Sequence, residues 1–257
     1  MIRIFGFGPI FRKWYCKLAW PKDNILELEC GGIKMKFYVR TNDDLRTLET
    51  EMFKEQRIIK CIISSLNPGD IFYDVGAFFG LYTIPLAKIV SDRGRVIAFE
   101  PNKQSYARLQ ENLNLNALNN VRLFCLALGN KNGGLKLFIG NNPIGSSLVY
   151  SSAFKQNYQI VKVVKGDDLK EEENLPSPRA VKIDVEGYEY EVIQGLHRTL
   201  LSPSCELICC EIHPQFLPEK IKPEMVLNLL KSIGFNQIKI FKSFDRTEYH
   251  ALCYKTK

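Results

Sequence analysis

The chain has no CxxC pair, no G-x-G-x-x-G loop, no internal repeat or low-complexity tract, and no apolar run long enough to cross a bilayer. Each absence narrows the choice. Eight cysteines without paired spacing argue against a zinc ribbon or a disulfide framework. Several lie in apolar strand-like runs such as Leu207-Ile208-Cys209-Cys210, where a free thiol packs as a small hydrophobe. Reduced thiols point to a cytoplasmic compartment. Without G-x-G-x-x-G, the fingerprint of a dinucleotide site is missing. Charge of one sign is also scarce: 35 lysines and arginines face 28 aspartates and glutamates, a +7 excess that permits a polyanionic partner without demanding one. The segment Met1 to Trp20 mixes aromatic and basic residues, and its apolar stretch Ile4 to Ile10 holds two glycines and a proline with no small-residue cleavage site after it. It reads as a packed extension rather than a signal peptide or transmembrane segment; the alternative is peripheral contact with a membrane surface or the substrate.

What is present is an alternation of two periods. Ile25 to Cys30 and Ile33 to Val39 alternate around Gly31-Gly32, which predicts a hairpin. Thr41 opens a helical pattern that runs to about Ser65 and stops at Asn67-Pro68-Gly69. From Asp70 the pattern becomes strand Ile71–Val75, helix 80–90, strand Arg95–Phe99, helix 103–116 and strand Val121–Leu126. Short strands over 134–139 and 159–165 flank a polar loop, 140–157, long enough to be a lid. Then come strand Ala180–Val185, helix 188–200, strand Glu206–Ile212, helix 223–233 and a terminal hairpin, 235–241 with 249–254. Alternating strands and helices predict an α/β fold with a mostly parallel sheet, ending in an antiparallel strand. Residues 1–66 read as an N-terminal hairpin-plus-helix extension packed on the core, and 67–257 as the main domain.

Two segments carry the chemistry. Tyr73-Asp74-Val75-Gly76-Ala77-Phe78-Phe79-Gly80 is a strand turning into a helix through a D-x-G-x-x-x-G loop. A pyrophosphate seeks backbone amides and a positive helix end, and Asp74 would repel it. The same carboxylate suits a cationic head, such as the ammonium and sulfonium of S-adenosylmethionine, while Gly76 and Gly80 allow close approach to the backbone. Glu100 closes the next strand and can accept bonds from ribose hydroxyls, with Pro101 and Asn102 shaping the turn beneath the adenosine. The plainer alternative is a tight turn with a helix-capping carboxylate. The second segment, Lys182-Ile183-Asp184-Val185-Glu186-Gly187, ends the fourth parallel strand; Glu211-Ile212-His213 ends the fifth. Side by side at the carboxyl edge, these residues could deprotonate a hydroxyl, with His213 as general base, or hold a divalent cation. They could equally well only tie the edge together. Lys182, inside an apolar strand, must find a carboxylate or reach the pocket. His197 and His250 read as solvated or capping residues.

On Tyr73-Asp74-Val75-Gly76-Ala77, Gly80, Ala98-Phe99-Glu100-Pro101, Ala127-Leu128-Gly129, Gly145-Ser146-Ser147-Leu148, Lys182-Ile183-Asp184-Val185-Glu186-Gly187 with Glu189, and Glu211-Ile212-His213-Pro214, the chain resembles the FkbM family of S-adenosylmethionine-dependent methyltransferases. The resemblance runs from about residue 70 to 215. It implies a class I, Rossmann-like fold with a seven-stranded sheet and helices on both faces, and methylation of an oxygen, commonly a hydroxyl on a sugar or natural product. Phe78 departs from the family, which often has asparagine there. The expected cofactor contacts are Asp74, Gly76, Ala77, Phe78, Gly80, Tyr82, Thr83, Glu100, Pro101, Asn102, Ala127 and Asp184. The expected catalytic group is Asp184, Glu186, Glu211 and His213, and no residue is assigned to a metal. The competing readings are an RNA (tRNA) methyltransferase, suggested by the net charge and by Thr83-Ile84-Pro85-Leu86-Ala87-Lys88, and a non-catalytic S-adenosylmethionine-binding module. No Asn-Pro-Pro segment is present to hold a base.

Overall fold

The structure, a computed structural model, describes residues 20–140, 146–150, 157–242 and 247–256. The expectations for residues 1–19, for most of the 140–157 loop and for Gly145 lie outside the described residues.

A short 3-10 turn, Lys22–Asn24, leads into strands β1 (Ile25–Cys30) and β2 (Ile33–Tyr38). They pair antiparallel, with Cys30 opposite Ile33. Gly31 and Gly32 both take positive φ, +60° and +81°, as a two-residue hairpin turn requires. Helix α1 (Asn42–Ile63) starts at Thr41, whose hydroxyl accepts from the Asp44 amide while the Asp44 carboxylate reaches back to the Thr41 amide. This reciprocal capping box satisfies two orphan donors. The hairpin is fastened to the rest of the molecule by polar contacts: Asn112 Oδ1 accepts from the Tyr38 amide at 2.9 Å, and Arg108 donates to the Tyr38 carbonyl at 3.0 Å.

The remaining elements are β3 (Ile71–Val75), α2 (Thr83–Val90), β4 (Arg95–Phe99), α3 (Lys103–Leu115), β5 (Val121–Phe124), β6 (Ala127–Gly129), β7 (Gly133–Ile139), β8 (Ser146–Ser147), β9 (Tyr158–Lys165), α4 (Gly166–Glu172), β10 (Ala180–Ile183), α5 (Glu189–Gly195), α6 (His197–Leu201), β11 (Leu207–Ile212), α7 (Pro223–Ser232), β12 (Gln237–Lys242) and β13 (Tyr249–Tyr254). Seven strands form one sheet in the order β12-β13-β11-β10-β3-β4-β5. All neighbours are parallel except those of β13, which runs antiparallel to both β11 and β12. The last strand is antiparallel as expected, but it lies inside the sheet, with β12 outside it. A second sheet, β6-β9-β7-β8, occupies the middle of the chain.

Successive strand residues alternate between two cores, since side chains of a strand point to opposite faces. Phe72, Val96, Ala98, Ala180 and Cys209 face one core with α1, α2 and α3. Tyr73, Val75, Ile97, Phe99, Ile183 and Cys210 face the other with α4, α5, α6 and α7. Helices therefore cover both faces.

One local difference from the sequence expectation has a tertiary cause. The single helix over 188–200 is two, broken at Leu196. The carboxylate of Asp167, from the unforeseen helix α4, accepts the amides of Arg198 and Thr199 at 2.8 Å and so opens a new helix there. Just before the break, Gly195 lies so close to Gly129 that a Cβ would sit 1.8 Å from the Gly129 carbonyl oxygen.

Candidate active site

The two motif loops follow β3 and β10, which are adjacent in the sheet with Asp74 opposite Lys182. This is the point where the strand order departs in both directions, the usual place for a ligand crevice. The loops touch through their backbones: a Cβ on Gly76, whose φ is +82°, would lie 1.8 Å from the Asp184 carbonyl oxygen. The amides of Gly76 and Ala77 donate to the Phe99 carbonyl at 3.0 and 3.1 Å. Phe78 sits at φ +48°, a left-handed position that asparagine tolerates better than phenylalanine. Its amide donates to Glu100 Oε2 at 2.8 Å, and the Asn102 amide donates to Glu100 Oε1 at 2.9 Å. Asn102 in turn caps α3, accepting from Gln104 and Ser105, and its Nδ2 reaches Ser146 Oγ at 3.1 Å. Glu100 is thus fixed by two backbone amides and still borders the cavity. Burial pushes its carboxyl up to about 7, against the opposing pull of those amides.

One cavity joins the two loops. Gly76, Ala77, Phe78, Tyr82, Glu100, Pro101 and Ala127 line it together with Asp184, Glu186 and Glu211. Of the expected cofactor contacts, Asp74, Gly80, Thr83 and Asn102 are not on this wall. Asp74 is fully buried beneath the loop, where Oδ2 accepts from Thr83 Oγ1 at 2.6 Å and Oδ1 faces Lys182 Nζ at 3.6 Å. Lys182 does both things open to it: it borders the cavity and joins the two motifs. Its ammonium donates to the Gly76 carbonyl at 2.8 Å and pairs with Asp184 Oδ2 at 3.1 Å. Burial alone would lower its pKa, but Asp184 and Asp74 outweigh that and hold the ammonium well above its ordinary value.

Behind Asp184, Glu186 and Glu211 lies His213, only 3% exposed. Its Nδ1 is 2.7 Å from Glu189 Oε1, and Nε2 faces Glu186 at 3.5 Å, Asp184 at 3.8 Å and Glu211 at 3.9 Å. Burial opposes a charged imidazole, yet the surrounding carboxylates raise His213 well above its ordinary value. Burial, reinforced by neighbouring acids, pushes Glu186 to about 7 and Glu211 to about 8. Asp184 goes the other way: burial would raise it, but Lys182 and His213 pull it below the ordinary carboxylate value. Glu186 has φ +53° and Gly187 φ +101°, where a Cβ would lie 2.2 Å from the Phe216 carbonyl oxygen.

His250, expected to be solvated or capping, is 8% exposed and stands between two acids: Nε2 is 2.9 Å from Glu55 and 3.5 Å from Glu211. His197 is exposed, in keeping with expectation. Glu55, which also accepts from Tyr82 Oη, comes from α1 and lines the cavity with Glu51. Sequence reading missed it, although a signal was there. Leu45, Leu48, Met52, Glu55, Ile59 and Ile62 recur at helical spacing on the buried face of α1, and a glutamate in such a stripe has to meet a partner.

The donor set fits S-adenosylmethionine. Glu100 is held by amides with its remaining lone pairs available to vicinal hydroxyls, and carboxylates outnumber cationic groups around the cavity. Residues 74–236, well over half of the chain, match the Methyltransferase FkbM domain. The chain belongs to the FkbM methyltransferase family. It is an S-adenosylmethionine-dependent methyltransferase with the class I fold. The Hexuronic acid methyltransferase AglP of Haloferax volcanii is 28% identical over 193 residues, covering 75% of this chain and 76% of that protein. Methyltransferase sdnD of Sordaria araneosa is 26% identical over 234 residues, covering 79% and 86%. Among solved structures, an rRNA methylase from Streptococcus thermophilus has a TM-score of 0.50 at 12% identity, covering 79% of this chain and 97% of that one, a likeness of fold alone. Within the FkbM region, the Ser147 hydroxyl donates to the Glu186 carbonyl, which ties the family's Gly-Ser-Ser segment to its Asp-Val-Glu-Gly segment.

Proposed function

We propose that this FkbM methyltransferase methylates a hydroxyl oxygen of a sugar or small natural product. The observation that carries the reading is that Glu100 and the 76–78 loop share one cavity with the acid edge of Asp184, Glu186 and Glu211. When bound, S-adenosylmethionine supplies an electrophilic methyl on a cationic sulfur. Glu100 and the backbone of 76–78 would hold it, with Asp74 supporting the loop from beneath through Thr83 and Lys182. Asp184, Glu186 and Glu211 would hold the acceptor hydroxyl and take its proton. His213 acts as a positioning residue from behind that wall, where its Nε2 faces all three carboxylates. Orientation is the main contribution such a site makes.

Electrostatics supports the acceptor class. A wall carrying Asp184, Glu186, Glu211, Glu51 and Glu55 disfavours a polyanionic acceptor and tolerates a sugar hydroxyl. That weighs against RNA despite the +7 net charge. The likeness to a hexuronic acid methyltransferase supports a sugar. We read residues 1–66 as an extension of a 67–257 methyltransferase domain that adds Glu51 and Glu55 to the acceptor wall. A cytoplasmic setting is supported by the seven described cysteines, all free thiols. No helix among the described residues is long and apolar enough to cross a membrane.

The test is transfer of a labelled methyl group into separate glycan, small-molecule and RNA pools, followed by mass spectrometry of the product. Label in a hydroxyl of the first two pools is expected, lost in Asp184→Asn with cofactor binding retained. Label confined to RNA, or tight cofactor binding without turnover on any pool, overturns the reading.

A further inference from the structure

The geometry around His213 asks for a cation larger than a proton. Nδ1 is committed to Glu189 at 2.7 Å, so Nε2 is the free end of a side chain that is 3% exposed. That nitrogen lies among three carboxylates at 3.5, 3.8 and 3.9 Å. A proton on Nε2 would be poorly shared at these distances, since N–H···O bonds lie near 2.7–3.2 Å. An ion with bonds of about 2.0–2.2 Å reaches several such atoms at once. The donor atoms of Asp184, Glu186 and His213 all fall within 4.8 Å of one another.

Two of the three are also held from the far side of the side chain, as ligands of a metal centre are, and the third by its backbone. Glu189 fixes the His213 ring. Lys182 takes Asp184 Oδ2 at 3.1 Å and leaves Oδ1 toward the imidazole. Glu186 is set by its left-handed backbone and by Ser147 on its carbonyl. We propose that Asp184, Glu186 and His213 bind one divalent cation at the acceptor end of the cavity. Two carboxylates and one imidazole suit Mn²⁺, which accepts both donor types. Open coordination positions would face the acceptor, where the cation would lower the pKa of a bound hydroxyl. Glu211, whose other oxygen faces His250, stands beside the cation. This inference rests on reading the acid edge as the acceptor site.

The experiment is Mn²⁺ titration of the full chain, chelator-treated and dialysed, followed by the paramagnetic signal of the free ion with no cofactor or acceptor present. One ion per chain is expected. Binding should weaken at least tenfold in Glu186→Gln and in Asp184→Asn, both checked by circular dichroism, and stay unchanged in Glu100→Ala, at the cofactor end. No saturable binding, or equal binding in Glu186→Gln and Asp184→Asn, overturns the proposal. Chelator-insensitive methyl transfer by a chain that binds no Mn²⁺ overturns it while sparing the acceptor reading. Mn²⁺ bound with the expected variant pattern, but no hydroxyl methylated in any pool, supports the cation site and sinks the acceptor reading.

Discussion

Lys182→Met is the sharpest test of how the two motif loops are joined. Lys182 is 4% exposed and its ammonium meets three groups: Asp184 at 3.1 Å, Asp74 at 3.6 Å and the Gly76 carbonyl at 2.8 Å. Methionine fills nearly the same volume, so packing is kept while the charge is removed. What remains is a fully buried Asp74 with only Thr83 as a partner, and an Asp184 without its cation. Removing one member of a buried ion pair costs about 3–5 kcal/mol. Asp184 keeps part of its side chain exposed, at 28%, and can regain some solvent, which favours the lower half of that range. A loss of about 3–4 kcal/mol corresponds to a melting temperature lower by about 6–16 °C for a chain of this size. The assay is urea unfolding followed by fluorescence, with Asp74→Asn and the double variant completing a cycle. Adding Asp74→Asn to Lys182→Met should recover at least about 1 kcal/mol, because a neutral amide no longer leaves a buried charge unpaired. A loss below about 1 kcal/mol, or no recovery in the double variant, would refute the argument that Lys182 is the electrostatic tie between the loops.

Cofactor affinity should depend on pH through Glu100. Its carboxyl is held at about 7, above its ordinary value, so the ionised form that accepts ribose hydroxyls is lost as pH falls through 7. Calorimetry should find binding roughly tenfold weaker at pH 6 than at pH 8; a flat profile contradicts the role, as would Glu100→Ala binding within threefold of wild type. Gly69 and Gly187 share φ +101°, but a Cβ meets nothing within 4 Å at Gly69 and the Phe216 carbonyl oxygen at 2.2 Å at Gly187. Gly187→Ala should therefore unfold at lower urea than Gly69→Ala, by at least about 1 kcal/mol beyond the shared backbone strain, and equal losses would show that the contact relaxes freely. Thr41→Ala removes one half of the α1 capping box and should cost about 1 kcal/mol, read as a melting temperature lower by about 2–4 °C; an unchanged midpoint would mean that the cap contributes nothing.

The sequence by itself determined the elements whose causes are local. The period-two runs around Gly31-Gly32 became a hairpin, Thr41 capped its helix, and the β-α rhythm from Ile71 to Val121 became consecutive parallel strands. It also determined the address of the site, since Asp74-Val75-Gly76 and Lys182-Ile183-Asp184 follow neighbouring strands. Glu100 at the end of its strand was legible for the same reason. Tertiary structure alone decided which groups act together. Glu55 and His250 are distant in the chain and carry no motif, yet they meet at 2.9 Å because α1 and β13 converge there. The upward pull on the pKa of His213 was also invisible, because it depends on Glu186, Glu189 and Glu211 crowding one buried ring. Asp74, read as a cofactor contact, was found beneath the loop because Thr83 and Lys182 take its oxygens. The difference is physical: periodicity and turn chemistry act over a few residues, whereas charge coupling follows distance in space.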